Sequence, residues 1–302
     1  MLRLGSRSSK LATWQAKHIQ SELALKNIEV EIVYISTEGD QSTQSLQDFG
    51  GQGAFTKRIQ TALLDSEIDF AVHSLKDLPT ESVEGLFLGA VPEREVTQDV
   101  LVCNKYDSIQ ELPAGALIGT GSFRRQAQLL NRRPDLRVAD IRGNVDTRLR
   151  KLDEEEFDAL ILARAGLTRL ELTERITEVI PIDYMLPAIG QGALGLECRS
   201  DDAATIESLR IIDDSQSHIE VVTERALLRE LRAGCLAPVG AHAKIKDRVL
   251  YLEAVVLSQD GTERVHGEQV EDGRIDLESG AALGVALAKS LVANGAEKLL
   301  KK

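Results

Sequence analysis

The sequence predicts an α/β protein with two successive α/β units followed by a smaller α+β domain. Over the first two-thirds of the 302 residues, short apolar runs alternate with amphipathic helical patterns, which is typical of α/β sheets. The alternation starts again after Pro92, which indicates a second sheet. From Ala241 the pattern changes to an antiparallel meander followed by a helix, which indicates a separate domain.

Each element follows from the period of its apolar residues. The first unit is predicted to contain strands at 2–5, 30–35 and 68–72 and helices near 11–25 and 55–64. The second is predicted to contain strands at 100–103, 116–119, 138–141 and 159–162, with helices between them. Later helices are predicted at 219–232 and from about 277 to 300. The polar, glycine-rich connection at 37–54 is typical of a functional lid or a disordered segment.

The overall charge is acidic, with 36 Lys and Arg residues against 48 Asp and Glu residues and a net charge of −12. Only 4% of the residues are aromatic. Nucleic-acid proteins usually combine extended positive charge with aromatic stacking platforms. The composition therefore favours a small-molecule ligand over a nucleic acid.

Neither a membrane span nor a metal centre is expected. No run of about 18 apolar residues is present. The first 15 residues lack the apolar core of a secretory signal, so we expect a cytoplasmic protein. Cys103, Cys198 and Cys235 lie far apart, without a CxxC pair or a histidine at metal-ligand spacing, so no disulfide framework or zinc site is expected.

An arginine-rich segment at 122–150 contrasts with the acidic remainder of the chain. It contains eight arginines: Arg124, Arg125, Arg132, Arg133, Arg137, Arg142, Arg148 and Arg150. Guanidinium groups bind carboxylates and phosphates bidentately, in a planar geometry that lysine lacks. The segment therefore predicts a site for a small molecule with several anionic groups. A solvated helix face is the alternative that this segment alone leaves open.

One strand-to-helix turn in this segment has the features of an anion pocket. It contains Thr120 and Ser122, and Arg124 and Arg125 follow directly. Backbone N–H groups and hydroxyls at a helix start bind anions, and the helix dipole adds to the attraction. Ordinary N-capping by Ser122 is the alternative.

Two further turns have the same character. At 141–148 a strand leads into a helix that Asn144 would cap, with Arg142 and Arg148 on either side. Arg7 and Ser9 follow the first strand in the same way. Because such turns meet at one crevice in open α/β sheets, we expect a common anion site.

The segment 70–79 runs from a strand into a loop, where α/β enzymes keep catalytic groups. Lys76 and Asp77 lie on this loop. A carboxylate beside cations stays ionised, stabilises a developing positive charge and transfers protons. Asp77 is therefore the catalytic candidate, with an ordinary turn residue as the alternative. His73, just inside the strand, is predicted to be a packed histidine rather than a ligand.

Cys235 lies on a Gly- and Pro-rich turn between a helix and a sheet. An exposed turn would leave its sulfur accessible, and nearby cations would favour the thiolate; a small buried hydrophobe is the alternative. Cys103 and Cys198 fall in apolar strands and are interpreted as structural.

The GxGxxG match at 190–195 leads into strand-like residues, so no dinucleotide site is predicted there.

Taken in order, these motifs resemble the porphobilinogen deaminase (hydroxymethylbilane synthase) family over essentially the whole chain. The matching segments are LRLGSRSSKLA, GGQGAFTK, AVHSLKDLP, GTGSFRRQAQL, IRGNVDTRL, AGLTRL, AIGQGALGLECR and AGCLAPVG. The resemblance implies a transferase of tetrapyrrole (haem) biosynthesis. Such an enzyme condenses four porphobilinogen molecules head to tail, with loss of ammonia, on a covalently bound dipyrromethane primer and then releases hydroxymethylbilane by hydrolysis.

The resemblance also implies a domain organisation. Two α/β domains would resemble periplasmic binding proteins, and a small α+β domain with a three-stranded antiparallel sheet would carry the cysteine. The implied domains are 1–92 with 193–212, 93–192, and 213–302. A cytoplasmic monomer without a nucleic-acid or membrane partner is implied.

Residue roles follow from the same resemblance by position. Cys235 matches the residue that holds dipyrromethane through a thioether, and Asp77 with Lys76 matches the catalytic pair. Phe55 matches an aromatic residue near the substrate ring, and no metal is implied. The implied contacts to the cofactor are Lys76, Ser122, Arg124, Arg125, Arg148 and Gly192. The other implied contacts to the substrate are Arg7, Ser9, Thr120, Arg142, Arg148 and Arg169.

Two positions depart from the family pattern. Gln52 stands where a lysine is usual, which removes a cation from the 37–54 connection. Asp146 stands where glycine is also found, so we expect its carboxylate to point away from anionic ligands or to pair with an arginine. A non-enzymatic anion-binding module of the periplasmic type is the alternative function, since it would share the two α/β units but would not need Cys235.

Overall fold

The computed structural model describes residues 1–36, 56–234 and 237–300. These residues form two five-stranded sheets and one three-stranded sheet, with helices packed on them. The predicted fold class, two α/β units and a small α+β domain, is therefore confirmed. Within the described ranges, no helix is long and apolar enough to cross a membrane.

The described strands are short in the first two sheets and longer in the third. In chain order they are β1 (Leu2–Ser6), β2 (Val30–Tyr34), β3 (Phe70–Ser74), β4 (Leu86–Ala90), β5 (Asp99–Cys103), β6 (Leu117–Gly119), β7 (Arg137–Ala139), β8 (Ala159–Ala163), β9 (Glu178–Val179), β10 (Leu194–Arg199), β11 (Val239–Lys246), β12 (Val249–Leu257) and β13 (Arg264–Glu271).

The described helices follow the strands of each unit. They are α1 (Lys10–Ala24), α2 (Lys57–Leu64), α3 (Phe123–Arg132), α4 (Val145–Asp153), α5 (Arg164–Arg169), α6 (Ala203–Arg210), α7 (Ser215–Glu230), α8 (Leu277–Ala293) and α9 (Ala296–Leu300). Single-turn 3₁₀ helices cover Leu75–Asp77 and Thr173–Arg175.

The two α/β sheets share one plan. Their strand orders are β2-β1-β3-β10-β4 and β7-β6-β8-β5-β9. In each sheet the first three strands are parallel, and the fourth runs antiparallel to both of its neighbours. The carboxyl ends of the parallel strands therefore lie at one edge of each sheet, which is where ligands bind in open α/β sheets.

The helical period of α1 explains why this segment covers the first sheet. Ala16, Ile19 and Leu23 recur at helical spacing and are fully buried, in one apolar cluster with Leu4 and Phe70 of the sheet. Ser9 caps the helix by accepting a hydrogen bond from the Ala12 amide. The cap begins α1 directly after β1, and this places the turn between them at the edge of the sheet.

The chain passes between the two sheets twice, after β4 and before β10, and one carboxylate joins both passages. Arg94 in the first passage donates to both oxygens of Glu224 on α7, at 2.9 and 3.0 Å. The Gly190 amide in the second passage and the Ala243 amide on β11 donate to the same carboxylate. Glu224 is completely buried. It therefore joins both passages to the third domain.

Two predicted elements differ from the structure. The helix predicted from 277 to 300 is interrupted after α8, because Gly295 adopts a φ of +99° that a continuous helix does not allow. The strand predicted at 68–72 begins at Phe70. The Ile68 amide instead bonds to the Ala62 carbonyl in the turn that ends α2.

In the third domain, α7 and α8 pack closely because small residues face the contact. A Cβ at Gly284 would overlap the Thr223 carbonyl oxygen and lie 2.9 Å from the Leu227 amide nitrogen. These are backbone atoms of α7, and they cannot move aside as a flexible side chain can. The contact therefore depends on the absence of a side chain at this position.

Gly284→Ala is expected to lower the free energy of unfolding by about 1–3 kcal/mol, as overpacking of a tight interior does. Gly166→Ala is the matched control, because this helical glycine has no atom within 4 Å of its ideal Cβ. There the helix preference of alanine should raise stability by about 0.5–1 kcal/mol. Urea unfolding followed by circular dichroism measures both. Equal effects of the two substitutions would contradict this account of the contact.

Candidate active site

A cavity that is partly open to solvent lies where the two α/β units meet the third domain. The loop after β3, the start of α3, the second passage and α7 all contribute to its lining, which includes Leu75, Lys76, Leu78, Thr80, Ser122, Arg124, Ala188, Ile189, Arg225, Leu228, Gly234, Ala237 and Val239. Gly234 and Ala237 flank Cys235, which itself lies outside the described residues, as does Phe55. The cavity therefore adjoins the predicted cysteine turn.

Lys76 and Asp77 lie in the 3₁₀ turn that directly follows β3, as predicted for a catalytic loop. Burial lowers the pKa of Lys76 to about 8; Arg125 and Arg124 act in the same direction, whereas Asp77 and Asp99 oppose the shift. The side chain of Asp77 is exposed. The loop is held from the third domain, because Arg225 on α7 donates to the Leu78 and Pro79 carbonyls at 2.9 and 2.6 Å.

Arg124 and Arg125 are buried and share one carboxylate, that of Asp99 at the start of β5. Arg124 donates to Asp99 Oδ2 at 2.6 Å, and Arg125 Nε donates to Oδ1 at 3.0 Å. Gln191 donates to the same carboxylate at 2.9 Å. Burial by itself would raise the pKa of Asp99, but the two arginine charges and the hydrogen bonds outweigh it and lower the pKa to about 2. Asp99 therefore stays ionised and orients both guanidinium groups.

Arg124 has a hydrogen-bond donor that could bind a further anion. Its Nε is buried and has no hydrogen-bond partner among the described residues. Buried polar atoms without partners are rare in proteins. Since Arg124 lines the cavity beside residues 234 and 237, this donor fits a carboxylate-bearing group attached near that turn.

The predicted hydroxyl residues serve as helix caps, so this alternative is confirmed for Ser122. The Ser122 hydroxyl accepts a hydrogen bond from the Arg125 amide, and Asn144 caps α4 through the Thr147 amide. Thr120 is buried, and its hydroxyl accepts from the Ser122 amide at 3.3 Å. A hydroxyl that accepts a cap bond still has a proton to donate. Capping and anion binding are therefore compatible at Ser9 and Ser122.

Arg148 connects the second arginine turn to the cleft electrostatically. Burial lowers its pKa to about 10, with further lowering by Arg125 and Arg142 and opposition from Asp140 and Asp77. Its Nε donates to the Gly143 carbonyl at 2.8 Å. Arg142 is more exposed and pairs with Asp140 at 2.7 Å. The charges of both α/β units thus act on one another across the cleft.

Arg169 and Gly192 lie at the second passage of the chain. Arg169 is buried and donates to the Gly192 carbonyl at 2.6 Å. Burial lowers the pKa of Arg169 to about 10, against the opposing charge of Glu95. Gly192 has a φ of +86°, and a Cβ there would overlap the Glu95 carbonyl oxygen. Arg7 is half-buried in the turn between β1 and α1.

Two arginines of the 122–150 segment, neither of them assigned to the site, have local partners. Arg133 pairs with Asp135 and donates to carbonyls at 109, 110 and 112. Arg150 pairs with Glu154 one turn further along α4. Local carboxylates and carbonyls therefore satisfy Arg133 and Arg150.

Asp146 does not pair with an arginine. Its partner is Lys10 at the start of α1, at 3.0 Å, and both side chains are largely exposed. The pair links the first α/β unit to the second. The added negative charge is thereby balanced by a cation of the opposite unit.

The remaining sequence interpretations can be compared with side-chain geometry. His73 is packed as predicted, with its Nε2 at 3.1 Å from Glu197 in the buried sheet. Burial raises the pKa of the Cys198 thiol to about 12, which fits a structural role. Residues 190–192 form a turn that leads into β10, without the helix of a dinucleotide site. The described part of the chain holds no group of three or more potential metal ligands.

Three residues of the site were not predicted: Asp99, Gln191 and Arg225. An acid directly before the apolar run of β5 was a weak signal for a buried charge pair. Gln191 and Arg225 carried no local signal, because each acts on a loop that is distant in sequence.

The fold and the cavity define a protein in which two α/β units and a third domain bring cationic side chains together at one cavity. The chain belongs to the porphobilinogen deaminase family. The family model described as "Porphobilinogen deaminase, dipyromethane cofactor binding domain" matches residues 2–207, and "Porphobilinogen deaminase, C-terminal domain" matches 218–293.

Two relatives named porphobilinogen deaminase support this assignment. Porphobilinogen deaminase of Desulforudis audaxviator is 50% identical over 302 residues, covering 99% of this chain and 96% of its own. That of Syntrophotalea carbinolica is 45% identical, with 99% and 95% covered. Among solved structures, the methionine binding protein MetQ is 13% identical, with a TM-score of 0.47 and 74% and 93% of the chains covered.

Asp99→Asn is expected to lower the free energy of unfolding by about 3–5 kcal/mol, because it leaves two buried guanidinium groups without their anion. Glu154→Gln is the control, since it breaks an exposed pair on α4 and should leave the urea midpoint unchanged. A small effect of Asp99→Asn would show that the arginines do not depend on this carboxylate.

The same substitution should change the acid dependence of stability. Folding lowers the pKa of Asp99 from 3.8 to about 2, so its contribution is present above about pH 4 and is lost as the pH falls toward 2. Unfolding free energies measured from pH 5 to 2 should fall more steeply in the wild type than in Asp99→Asn. Parallel curves would contradict the assignment.

Proposed function

We propose that the chain is a porphobilinogen deaminase, which condenses four porphobilinogen molecules with loss of ammonia and releases hydroxymethylbilane. One observation carries the proposal: Lys76, which directly precedes Asp77, and the buried Arg124 of the second α/β unit line one cavity together with Gly234 and Ala237. Membership of the family supports the same reaction.

Asp77 is proposed to stabilise the positive charge that develops when ammonia leaves. Electrons from the pyrrole nitrogen move toward the aminomethyl carbon, the C–N bond breaks, and a cationic methylene-pyrrole forms. A carboxylate that accepts a hydrogen bond from the pyrrole N–H lowers the energy of this cation. Lys76, with a pKa of about 8, is suited to exchange a proton with the departing amine near neutral pH.

The cations are proposed to hold the acetate and propionate groups of the ligand. Arg7, Ser9, Thr120, Arg142, Arg148 and Arg169 would receive substrate carboxylates; Lys76, Ser122, Arg124, Arg125, Arg148 and Gly192 would contact the cofactor. The buried Arg169 and the half-buried Arg148 support this best, because neither forms an ion pair with a carboxylate of the described residues. Each pyrrole adds two carboxylates, so a growing chain needs several such groups. Phe55 would contact the substrate ring.

The cofactor of this family is dipyrromethane, and the described residues fit it through the unpartnered Arg124 Nε and through a cavity lined by Gly234 and Ala237, which are close to Cys235 in sequence. We propose attachment through a thioether at Cys235. When bound, the cofactor supplies the terminal pyrrole carbon on which the chain is extended. Asp77 is then placed to accept the proton that this carbon loses.

The domain division at 1–92 with 193–212, 93–192 and 213–302 is part of the proposal. The pairing of β10 with β3 and β4 and the separate sheet of β11–β13 support it. We also propose that the chain acts as a cytoplasmic monomer, for which the acidic composition and the family resemblance are the support.

Asp77→Asn should lower kcat for ammonia release from porphobilinogen by at least about 10²-fold, the effect of losing one preorganised electrostatic group. Asp135→Asn, the same substitution at a surface ion pair, is the control and should leave kcat unchanged. Circular dichroism checks the fold of both variants. Normal turnover by Asp77→Asn would refute its role, and binding of porphobilinogen without ammonia release by the wild type would favour an anion-binding module.

Intact-protein mass spectrometry of the purified holoenzyme should reveal an adduct equal to two linked pyrrole units. The adduct should be lost in Cys235→Ser and kept in Cys103→Ser, whose sulfur donates to the Asp158 carbonyl in the second sheet. An unmodified wild-type mass would exclude a covalent primer.

A further inference from the structure

The two α/β units also touch where α1 meets α5. The guanidinium carbon of Arg169 lies 5.8 Å from the centre of the Trp14 ring, over its face. The same ring stacks on His18 one turn further along α1, with centroids 5.0 Å apart and planes within 15°. An aromatic side chain of the first unit therefore contacts a cation of the second.

Arg169 has few other protein contacts for a buried cation. Among the described residues it donates to the Gly192 carbonyl and has no carboxylate within ion-pairing distance, although the charge of Glu95 acts on it from further away. Only 7% of the residue is exposed. A desolvated guanidinium normally requires an anion or an aromatic face. The described structure supplies the aromatic face, whereas the anion is left to a ligand.

We propose that Trp14 is a positioning residue for Arg169: its ring fixes the plane of the guanidinium group, so that this group receives a substrate carboxylate. The inference rests on the proposed function, because it takes Arg169 as a carboxylate ligand. The Gly192 bond holds one edge of the guanidinium group and the Trp14 ring supports its face. Together they restrict a side chain that would otherwise lose much rotational freedom on binding.

The test compares porphobilinogen kinetics of Trp14→Leu with those of Trp14→Phe, which keeps an aromatic face. Trp14→Leu should raise KM by about 3- to 30-fold, the range that a desolvated cation–π contact gives, and should change kcat less than threefold. Trp14→Phe should stay within about threefold of wild type. Lys10→Ala breaks the other contact between the units, the exposed pair with Asp146, and should leave KM unchanged.

A double-mutant cycle separates positioning from a general structural role. In the Arg169→Gln background, Trp14→Leu should have no further effect on KM, because the ring would have no cation to position. Multiplicative effects of the two substitutions, or an unchanged KM in Trp14→Leu, would overturn the proposal. A wild type without porphobilinogen turnover would instead overturn the proposed function.

Fluorescence gives a readout that needs no change at Trp14, since it is the single tryptophan of the chain. Mixing the holoenzyme with porphobilinogen should change its emission as a carboxylate neutralises Arg169. The change should persist in Lys10→Ala and be lost in Arg169→Gln. An emission change of the same size in Arg169→Gln would contradict the coupling.

Discussion

The geometry of the cleft depends on one buried carboxylate, that of Glu224. Its bonds to Arg94, Gly190 and Ala243 join both passages between the sheets to the third domain. A buried ion pair adds little net stability compared with apolar packing of the same volume, because both charges lose their hydration. Any shift of Arg94, Gly190 or Ala243 away from Glu224, however, leaves a charge or an amide unpaired in the interior. The Glu224 contacts therefore determine where the three domains meet more than how strongly they adhere.

The same reasoning applies inside the site, where Asp99 orients Arg124 and Arg125. An acid beside an anion-binding site weakens the attraction for the ligand, yet two buried guanidinium groups without it would repel each other and lose their orientation. With Asp99 ionised, the two arginines and Asp99 together carry a net charge of about +1, and the arginines have a defined geometry. Preorganisation of this kind lowers the cost of binding, since the donors do not have to be ordered by the ligand.

The sequence was sufficient for the α/β class, the change of pattern near Ala241 and the loop with Lys76 and Asp77, because these follow from local period and turn composition. Strand β4 was not predicted, since LFLGA is short and borders a loop without a clear turn signal. The partners of Asp99 and Glu224 could not be predicted from local sequence patterns. Gln191 lies 92 residues from Asp99, and Glu224 lies 130 residues from Arg94. Only the chain's return to the first sheet brings such residues together.

Four arginines illustrate two opposite effects of folding on the pKa of a guanidinium group, and they form two groups on that basis. The pKa values of Arg133 and Arg150 are raised by hydrogen bonds to Asp135 and Glu154. Those of Arg148 and Arg169 are lowered by burial, which the charges of Asp140, Asp77 and Glu95 only partly offset.

A cation in the second group is destabilised by its own desolvation until an anion reaches it. A neutral ligand would leave that cost in place, whereas a carboxylate would remove it. Discrimination of this kind is large where buried polar groups would otherwise stay unpaired. The preference of the cleft for a polycarboxylate thus follows from where the arginines are buried, and the number of arginines in the sequence is a poor guide to it.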